Sequence, residues 1–435
     1  MELTVSRSGA LTGTVRVPGD KSISHRALIL GALARGETRV QGFLPAQDCW
    51  STASCLEALG VTIVREGPTT LRVVGVGERG LREPEEVLEA GNSGTTIRLL
   101  LGVLASQPFY AVITGDRSLR RRPMGRVVEP LTLMGAQIWG REGGRLAPLS
   151  VRGSRPLKPL EYCLPVASAQ LKSALLLAGL SAHGVTSLRE PAASRDHTER
   201  MLQAFGAEIW QEQGWIKVKG PAVLEGQAVE VPGDFSAAAF FLVAGALVPG
   251  SRLYLPGVGV NPTRTGLLEV LRRMGAEVTL ASPRRLGGEP VADLEVCSGP
   301  LRAVEVGGEL IPRLIDEVPI LAVAATQAHG TTVIRDAAEL AVKESNRLEA
   351  MARELSRLGA EVEALPDGMV IRGPTPLRGA VCDSHGDHRV AMAVTVAGLI
   401  AEGQTTVRGA ECIAISFPGF AEELGRLTRG ESRCP

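Results

Sequence analysis

Apolar positions along the chain fall into two alternating periods. Stretches such as LEVLRRMG and EAMARELSRLG space their apolar residues three and four apart, the pattern of a helix with one buried face. Each such run stops at a glycine: Leu59-Gly60-Val61, Met134-Gly135-Ala136, Phe205-Gly206-Ala207, Met274-Gly275-Ala276 and Leu358-Gly359-Ala360. Glycine just past the last periodic residue predicts a left-handed helix cap. Short alternating segments follow (VTIV, QIWG, EIWQ, EVTL, EVEA), and alternation predicts strands.

A second pattern lies between these. Helices that are apolar all round end at a glycine and pass into Thr/Val/Leu strands: ALARGETRV, LSAHGVTSL, LVPGSRLYL, TQAHGTTVI and IAEGQTTVR, with VLASQPFYAVI as a degenerate sixth. The two patterns together divide the 435 residues into six units of roughly 72 residues. The last unit runs out after Leu424-Gly425, while the N-terminus opens with a strand pair, LTVSRS and GTVRV, and no helix before it. Residues 1 to about 18 are therefore expected to complete the last unit.

The tetrad Val17-Pro18-Gly19-Asp20 recurs as Val231-Pro232-Gly233-Asp234, each time followed two places later by a serine and then by an apolar helix. A Pro-Gly pair marks a turn. The predicted fold is α/β with two domains of three units each: residues 1–18 plus 233–435, and residues 19–232 inserted between them. The chain would cross at 17–20 and 231–234, which predicts a hinge. A continuous six-repeat solenoid is the alternative, and the paired tetrads disfavour it.

Composition narrows the function. Formal net charge is +0 and aromatics are 3%, so neither a nucleic-acid surface nor a base-stacking platform is expected. Seven scattered cysteines (49, 55, 163, 297, 382, 412 and 434) lack a CxxC pair and read as reduced thiols. No signal peptide or membrane span is evident, so a cytoplasmic protein is expected.

Polar clusters stand at the starts of the apolar helices. Lys21-Ser22-Ile23-Ser24-His25-Arg26 sets an amine, two hydroxyls and a guanidinium where orphan N–H groups already favour an anion; an ordinary capped helix is the competing reading. Gly91-Asn92-Ser93-Gly94-Thr95-Thr96 would allow close ligand approach, although Asn-Ser-Gly is also common turn chemistry. Arg120-Arg121-Arg122-Pro123 reads either as a solvated loop or as an arginine aimed by the proline. Ser168-Ala169-Gln170 and Arg195-Asp196-His197-Thr198-Glu199 open two further helices. Arg313 to Pro319 brings Asp316 and Glu317 before an apolar run. Lys343-Glu344-Ser345-Asn346-Arg347 and Asp383 to Arg389 are the densest polar stretches. The last holds two His and two Asp, but without the HxxxH or HExxH spacing of a helical metal site, so no metal is expected. Recurrence at equivalent helix starts is the stronger signal. It predicts helix N-termini from both domains facing one cleft, with cations in excess around Asp316 and Glu344, for small and highly anionic substrates.

The motifs GDKSISHRAL, GNSGTTIRLL, RRPMGR, SAQLKSALLLAGL, LIDEVPILAVAA, VKESNRLEAMA and GDHRVAMA resemble those of the 5-enolpyruvylshikimate-3-phosphate (EPSP) synthase family over essentially the whole chain. The resemblance implies two domains of three βαβαββ units, an inside-out α/β barrel. It also implies transfer of the enolpyruvyl group of phosphoenolpyruvate to shikimate-3-phosphate, in a monomer without metal or cofactor. By the same likeness Lys21, Ser22, Arg26, Ser168, Ala169, Gln170, Arg195, Asp316 and Lys343 would bind shikimate-3-phosphate. Lys21, Gly94, Arg122, Gln170, Arg347 and Arg389 would hold phosphoenolpyruvate. Asp316 would be the base for the attacking hydroxyl, with Glu344 and Lys21 sharing the proton handling.

The chain departs from the family pattern in places. Ile415 stands before Ser416-Phe417-Pro418 where a lysine is usual, Asn346 where an aspartate is usual, and Ala341 where an arginine is usual. The first removes an expected cation, and the other two weaken the expected local support of Arg347. SAQLK, RDHTE and Asn261-Pro262-Thr263-Arg264 resemble the glyphosate-tolerant subclass. Three alternatives are weighed against this reading. A relative acting on UDP-N-acetylglucosamine would carry a Lys-Asn pair early, where Lys21-Ser22 stands here. A non-catalytic binder would gain little from Asp316 and Glu344 beside anions. An RNA 3′-phosphate cyclase would call for a catalytic His and a nucleotide site.

Overall fold

The computed structural model describes residues 1–430, so Cys434 lies outside the described residues. Its strands form six small sheets. One unit shows the rule. Strand Leu88–Glu89 leads into helix Gly94–Leu104, strand Tyr110–Thr114, helix Gly125–Leu133, strand Gln137–Gly140 and strand Leu146–Arg152. The first two strands pair parallel, as a helical crossover requires, and the remaining pairs are antiparallel. The units of Glu161–Cys163 to Trp215–Gly220 and of Leu301–Arg302 to Gly368–Gly373 repeat this βαβαββ order.

The chain divides into two compact units: Met1–Pro18 with Pro232–Arg285 and Pro290 onward, and Gly19–Val231 with Leu286–Glu289. Each has its own hydrophobic core and three sheets. The inserted unit is built around three helices buried nearly all round, Lys21–Leu33, Gly94–Leu104 and Ala169–Gly179. In the other unit the equivalents are Phe235–Leu247, Val318–Thr326 and His388–Gly398. A helix without a polar stripe has no face to give to water, so it lies inside and the sheets pack outside it. Gly102 lets two of these helices meet backbone to backbone, because a Cβ there would lie 2.2 Å from the Ala174 carbonyl oxygen. The amphipathic helices, such as Gln47–Ala58 and Gly266–Arg273, bury one side only.

All five predicted cap glycines have left-handed φ, from +90° to +113°. The N-terminal strand pair departs from expectation. Glu2–Ser6 pairs antiparallel with Gln404–Arg408 and completes the last sheet, as anticipated. Thr12–Thr14 does not follow it: this strand pairs parallel with Arg252–Gly259, in the sheet of the fourth unit. The inserted unit closes in the same way, with Leu224–Glu225 and Ala228–Glu230 parallel to Ala34–Gln41. Each unit thus recruits the parallel first strand of its leading βαβ from outside that segment. The reason is topological: Lys21–Leu33 and Phe235–Leu247 each begin directly after a crossing, so the strand just before each helix in sequence belongs to the other unit, and the parallel partner comes from the chain before the other crossing.

Candidate active site

In the inserted unit, the N-termini of the buried helices gather the polar groups. Asp20 caps Lys21–Leu33 by accepting from the Ile23 N–H at 2.9 Å, Ser93 caps Gly94–Leu104 through Thr96 at 3.1 Å, and Ser168 caps Ala169–Gly179 through Leu171 at 3.4 Å. Short polar side chains are favoured at these positions because they satisfy donors the helix leaves open. The residues just inside are then presented at the helix mouths.

Lys21 pairs with Asp48 at 3.0 Å. Arg26, almost fully buried, donates to Thr198 Oγ1 at 2.6 Å, Ser173 Oγ at 2.7 Å and the Ser22 carbonyl at 2.9 Å. Burial lowers its pKa to about 10, and Arg195 adds to that while Glu199 and Asp20 oppose it. Arg26 therefore stays charged at neutral pH, and Arg195 lies within its electrostatic reach. Gln170 is gripped from both ends: its Oε1 accepts from Arg98 at 2.7 Å and its Nε2 donates to Thr95 at 2.9 Å. Arg122, buried, donates to Asn92 Oδ1. Gly94 sits against both arginines; a Cβ there would lie 2.7 Å from Arg98 Nη1 and 3.3 Å from Arg122 Nη1. Ala169 is the first residue of its helix.

Beneath this layer His25 Nδ1 meets Thr52 Oγ1 at 2.7 Å, and Thr52 meets Thr96 at 2.7 Å. Burial, with Lys21 and Arg26 adding, pushes the His25 pKa well down, so the ring is neutral at neutral pH. Lys172 is buried with Glu190 at 2.8 Å and Glu199 at 2.7 Å. Its burial would lower the amine's pKa, but the two carboxylates outweigh it and raise it. Lys172 is thus a structural pin for the segment carrying Arg195, not a free cation.

The other unit holds the carboxylates. Arg347, buried, is the hub: Nε donates to Asp387 Oδ2 at 2.8 Å, Nη1 to Asp316 Oδ1 at 3.1 Å and Nη2 to Glu344 Oε2 at 2.5 Å. Burial alone would weaken its charge, but Asp387, Glu344 and Asp316 outweigh burial and raise its pKa. Arg389 donates to the Asp316 carbonyl at 3.2 Å, and its Nη2 lies 3.6 Å from the carboxylate. Lys343 Nζ is 3.9 Å from Asp316 Oδ1. Surrounding protein lowers the Lys343 pKa by desolvation, against the pull of Asp316 and with Arg347 adding to the lowering; 31% side-chain exposure tempers that shift.

The structure thus groups Lys21, Ser22, Arg26, Gly94, Arg122, Ser168, Ala169, Gln170 and Arg195 in one unit. Asp316, Lys343, Glu344, Arg347 and Arg389 stand together in the other. Sequence reasoning missed Asp48, and it gave no role to Asn92, Arg98 and Asp387 within the stretches it singled out. Arg98 had a signal: a lone arginine inside TTIRLLLGVL must find polar partners once that helix is buried. The expected weakness beside Arg347 does not appear, because Asp387 and Glu344 support it while Asn346 caps its helix through Glu349 N–H at 3.4 Å. Ile415 packs against the unit's apolar core.

The family profile of EPSP synthase (3-phosphoshikimate 1-carboxyvinyltransferase) matches residues 5–424. The 3-phosphoshikimate 1-carboxyvinyltransferase of Pelotomaculum thermopropionicum is 61% identical over 98% of this chain and 99% of its own. The protein of the same name from Geobacillus kaustophilus is 57% identical over 96% of this chain and 98% of its own. Among solved structures, EPSP synthase from Acinetobacter baumannii superposes with a TM-score of 0.87 at 44% identity, covering 98% of both chains. The enolpyruvyl transferase NikO from Streptomyces tendae shares the fold, with a TM-score of 0.78 at 21% identity over 98% of this chain and 97% of its own. With a profile match over nearly its full length and relatives of this identity, the chain belongs to the EPSP synthase (3-phosphoshikimate 1-carboxyvinyltransferase) family.

Proposed function

We propose the following mechanism and residue roles for the reaction of this family, transfer of the enolpyruvyl group of phosphoenolpyruvate to the 5-hydroxyl of shikimate-3-phosphate with release of phosphate. The observation that carries the reading is one buried guanidinium, Arg347, holding the two carboxylates Asp316 and Glu344 in separate hydrogen bonds. A site that only bound anions would have no use for such carboxylates. A site that moves protons beside anions needs them.

The 5-hydroxyl adds to C2 of phosphoenolpyruvate while C3 takes a proton, giving a tetrahedral intermediate. Phosphate then leaves C2 as C3 gives a proton back. Asp316 takes the hydroxyl proton, which the departing phosphate finally carries off, and Glu344 gives and recovers the C3 proton, with Lys21 sharing the proton handling. Glu344 faces an ionic obstacle, since its bond to Arg347 favours the ionised form. An arriving phosphoenolpyruvate carboxylate competes for Arg347 and frees Glu344 to carry a proton. Lys21, Arg122, Arg347 and Arg389, with Gly94 and Gln170, hold phosphoenolpyruvate. Lys21, Ser22, Arg26, Ser168, Ala169, Gln170, Arg195, Asp316 and Lys343 hold shikimate-3-phosphate. The steps call for proton transfer and charge stabilisation only.

Within the same proposal the enzyme acts as a cytoplasmic monomer and belongs to the glyphosate-tolerant subclass, on the strength of SAQLK, RDHTE and Asn261 to Arg264. The test is phosphate release from phosphoenolpyruvate with shikimate-3-phosphate, run beside UDP-N-acetylglucosamine. Release with the first alone is expected, and its absence overturns the reading. Asp316→Ala should lower kcat by about 10²- to 10⁴-fold. Near-normal turnover would remove Asp316 from its role.

A further inference from the structure

The second crossing tetrad leads into a buried ionic cluster that the residues above leave unused. Asp234 caps the helix Phe235–Leu247 by accepting from the Ser236 N–H at 2.7 Å. Arg264 Nη2 donates to Asp234 Oδ1 at 3.1 Å and to Ser236 Oγ at 2.7 Å. Ser236 Oγ also meets Glu317 Oε1. All four residues are buried, Glu317 to 1% exposure.

Their chemistry orders the contacts. A guanidinium only donates, so the Ser236 oxygen accepts from Arg264 and its O–H is left to donate to Glu317. A hydroxyl polarised between a guanidinium and a carboxylate makes a strong, directional link. Glu317 in turn is the residue after Asp316, on the three-residue turn between helices Ile311–Leu314 and Val318–Thr326. The Glu317 backbone is tied as well, its N–H to Leu314 at 2.8 Å and its carbonyl to the Leu321 N–H at 2.9 Å. In that three-residue turn Glu317 is pegged by a buried network, and Asp316 beside it presents its carboxylate to Arg347 and its carbonyl to Arg389.

We infer that Arg264, Ser236 and Glu317 are positioning residues that aim the Asp316 carboxylate, acting through the backbone of the Ile315–Glu317 turn. The inference rests on the proposed role of Asp316 as base. It also gives the second tetrad a function of its own. Where the first copy carries Lys21 at the start of its helix, the second carries Phe235 and is occupied by the guanidinium of Arg264.

A double-mutant cycle tests this, read by phosphate release in the full-length protein. Ser236→Ala should lower kcat about tenfold, below the roughly hundredfold that a 1 Å misplacement can cost, with both KM values within about twofold. In an Asp316→Ala background the same change should cost nothing further, because no carboxylate remains to be aimed. Glu317→Gln keeps an acceptor for Ser236 without the charge; it should lose about threefold, and that loss should also vanish with Asp316→Ala. Equal losses in both backgrounds, or no loss beside a wild-type Asp316, overturn the inference while leaving Asp316 as base. Near-normal turnover of Asp316→Ala alone instead overturns the proposed role of Asp316, and the inference with it. Should Ser236→Ala fail to fold, the Glu317→Gln arm decides by the same criteria.

Discussion

Gly94 shows how much a single side chain's absence can set. It opens a buried helix beside two guanidinium groups, and a Cβ would press on Arg98 at 2.7 Å and Arg122 at 3.3 Å. Helix propensity favours alanine there, so the fold should tolerate it. The guanidinium groups must then shift by a few tenths of an ångström or more. Gly94→Ala should therefore raise the KM for phosphoenolpyruvate about tenfold with an unchanged melting temperature, since bidentate grips on small anions depend on placement. An unaltered KM would detach Gly94 from the phosphoenolpyruvate site. At this scale the sequence was legible in where Lys21, Gln170 and Arg347 stand, at the first turns of helices, because helix starts are written locally. It was opaque for Asp48, Asn92 and Asp387, whose work is to hold a distant partner. Nothing in the order of residues announces that Asp48 meets Lys21 or that Asp387 meets Arg347.

Elements were more legible than residues, because a helix end or a strand is written in a handful of neighbouring positions. The recurring glycines are the clearest case. Gly206 has φ +92° and open space where a Cβ would stand, so Gly206→Ala tests backbone conformation free of any clash. A left-handed conformation costs an L-residue about 1–2 kcal/mol, and Gly206→Ala should lose about that much stability, measured as a lower urea midpoint with turnover retained. No loss would show that the cap is not under conformational constraint. Thr12–Thr14 marks the limit of reading elements. A strand was expected at GTVRV, residues 13–17, and forms at Thr12–Thr14, shorter and shifted towards the N-terminus; its sheet was not legible, because strand pairing is settled by whichever edge is open once the helices have packed.

At the scale of the whole molecule the proposed chemistry makes a demand. The groups assigned to the two ligands lie in both units, so turnover requires both units to engage one pair of ligands. We predict that shikimate-3-phosphate with phosphoenolpyruvate, or with an unreactive analogue, lowers the radius of gyration in small-angle scattering. Identical profiles with and without ligands would contradict closure at 17–20 and 231–234. The sequence by itself determined the repeat, the twin tetrads, the apolar inner helices and the polar residues at their mouths. These follow from local spacing, which the chain carries wherever it folds. Tertiary structure alone decided which strand closes each sheet, which carboxylates surround Arg347, and that Arg264 fills the helix start where the second copy has Phe235 in place of Lys. Those outcomes depend on satisfying buried charges and open edges between segments far apart in sequence, and only the packed fold sets those distances.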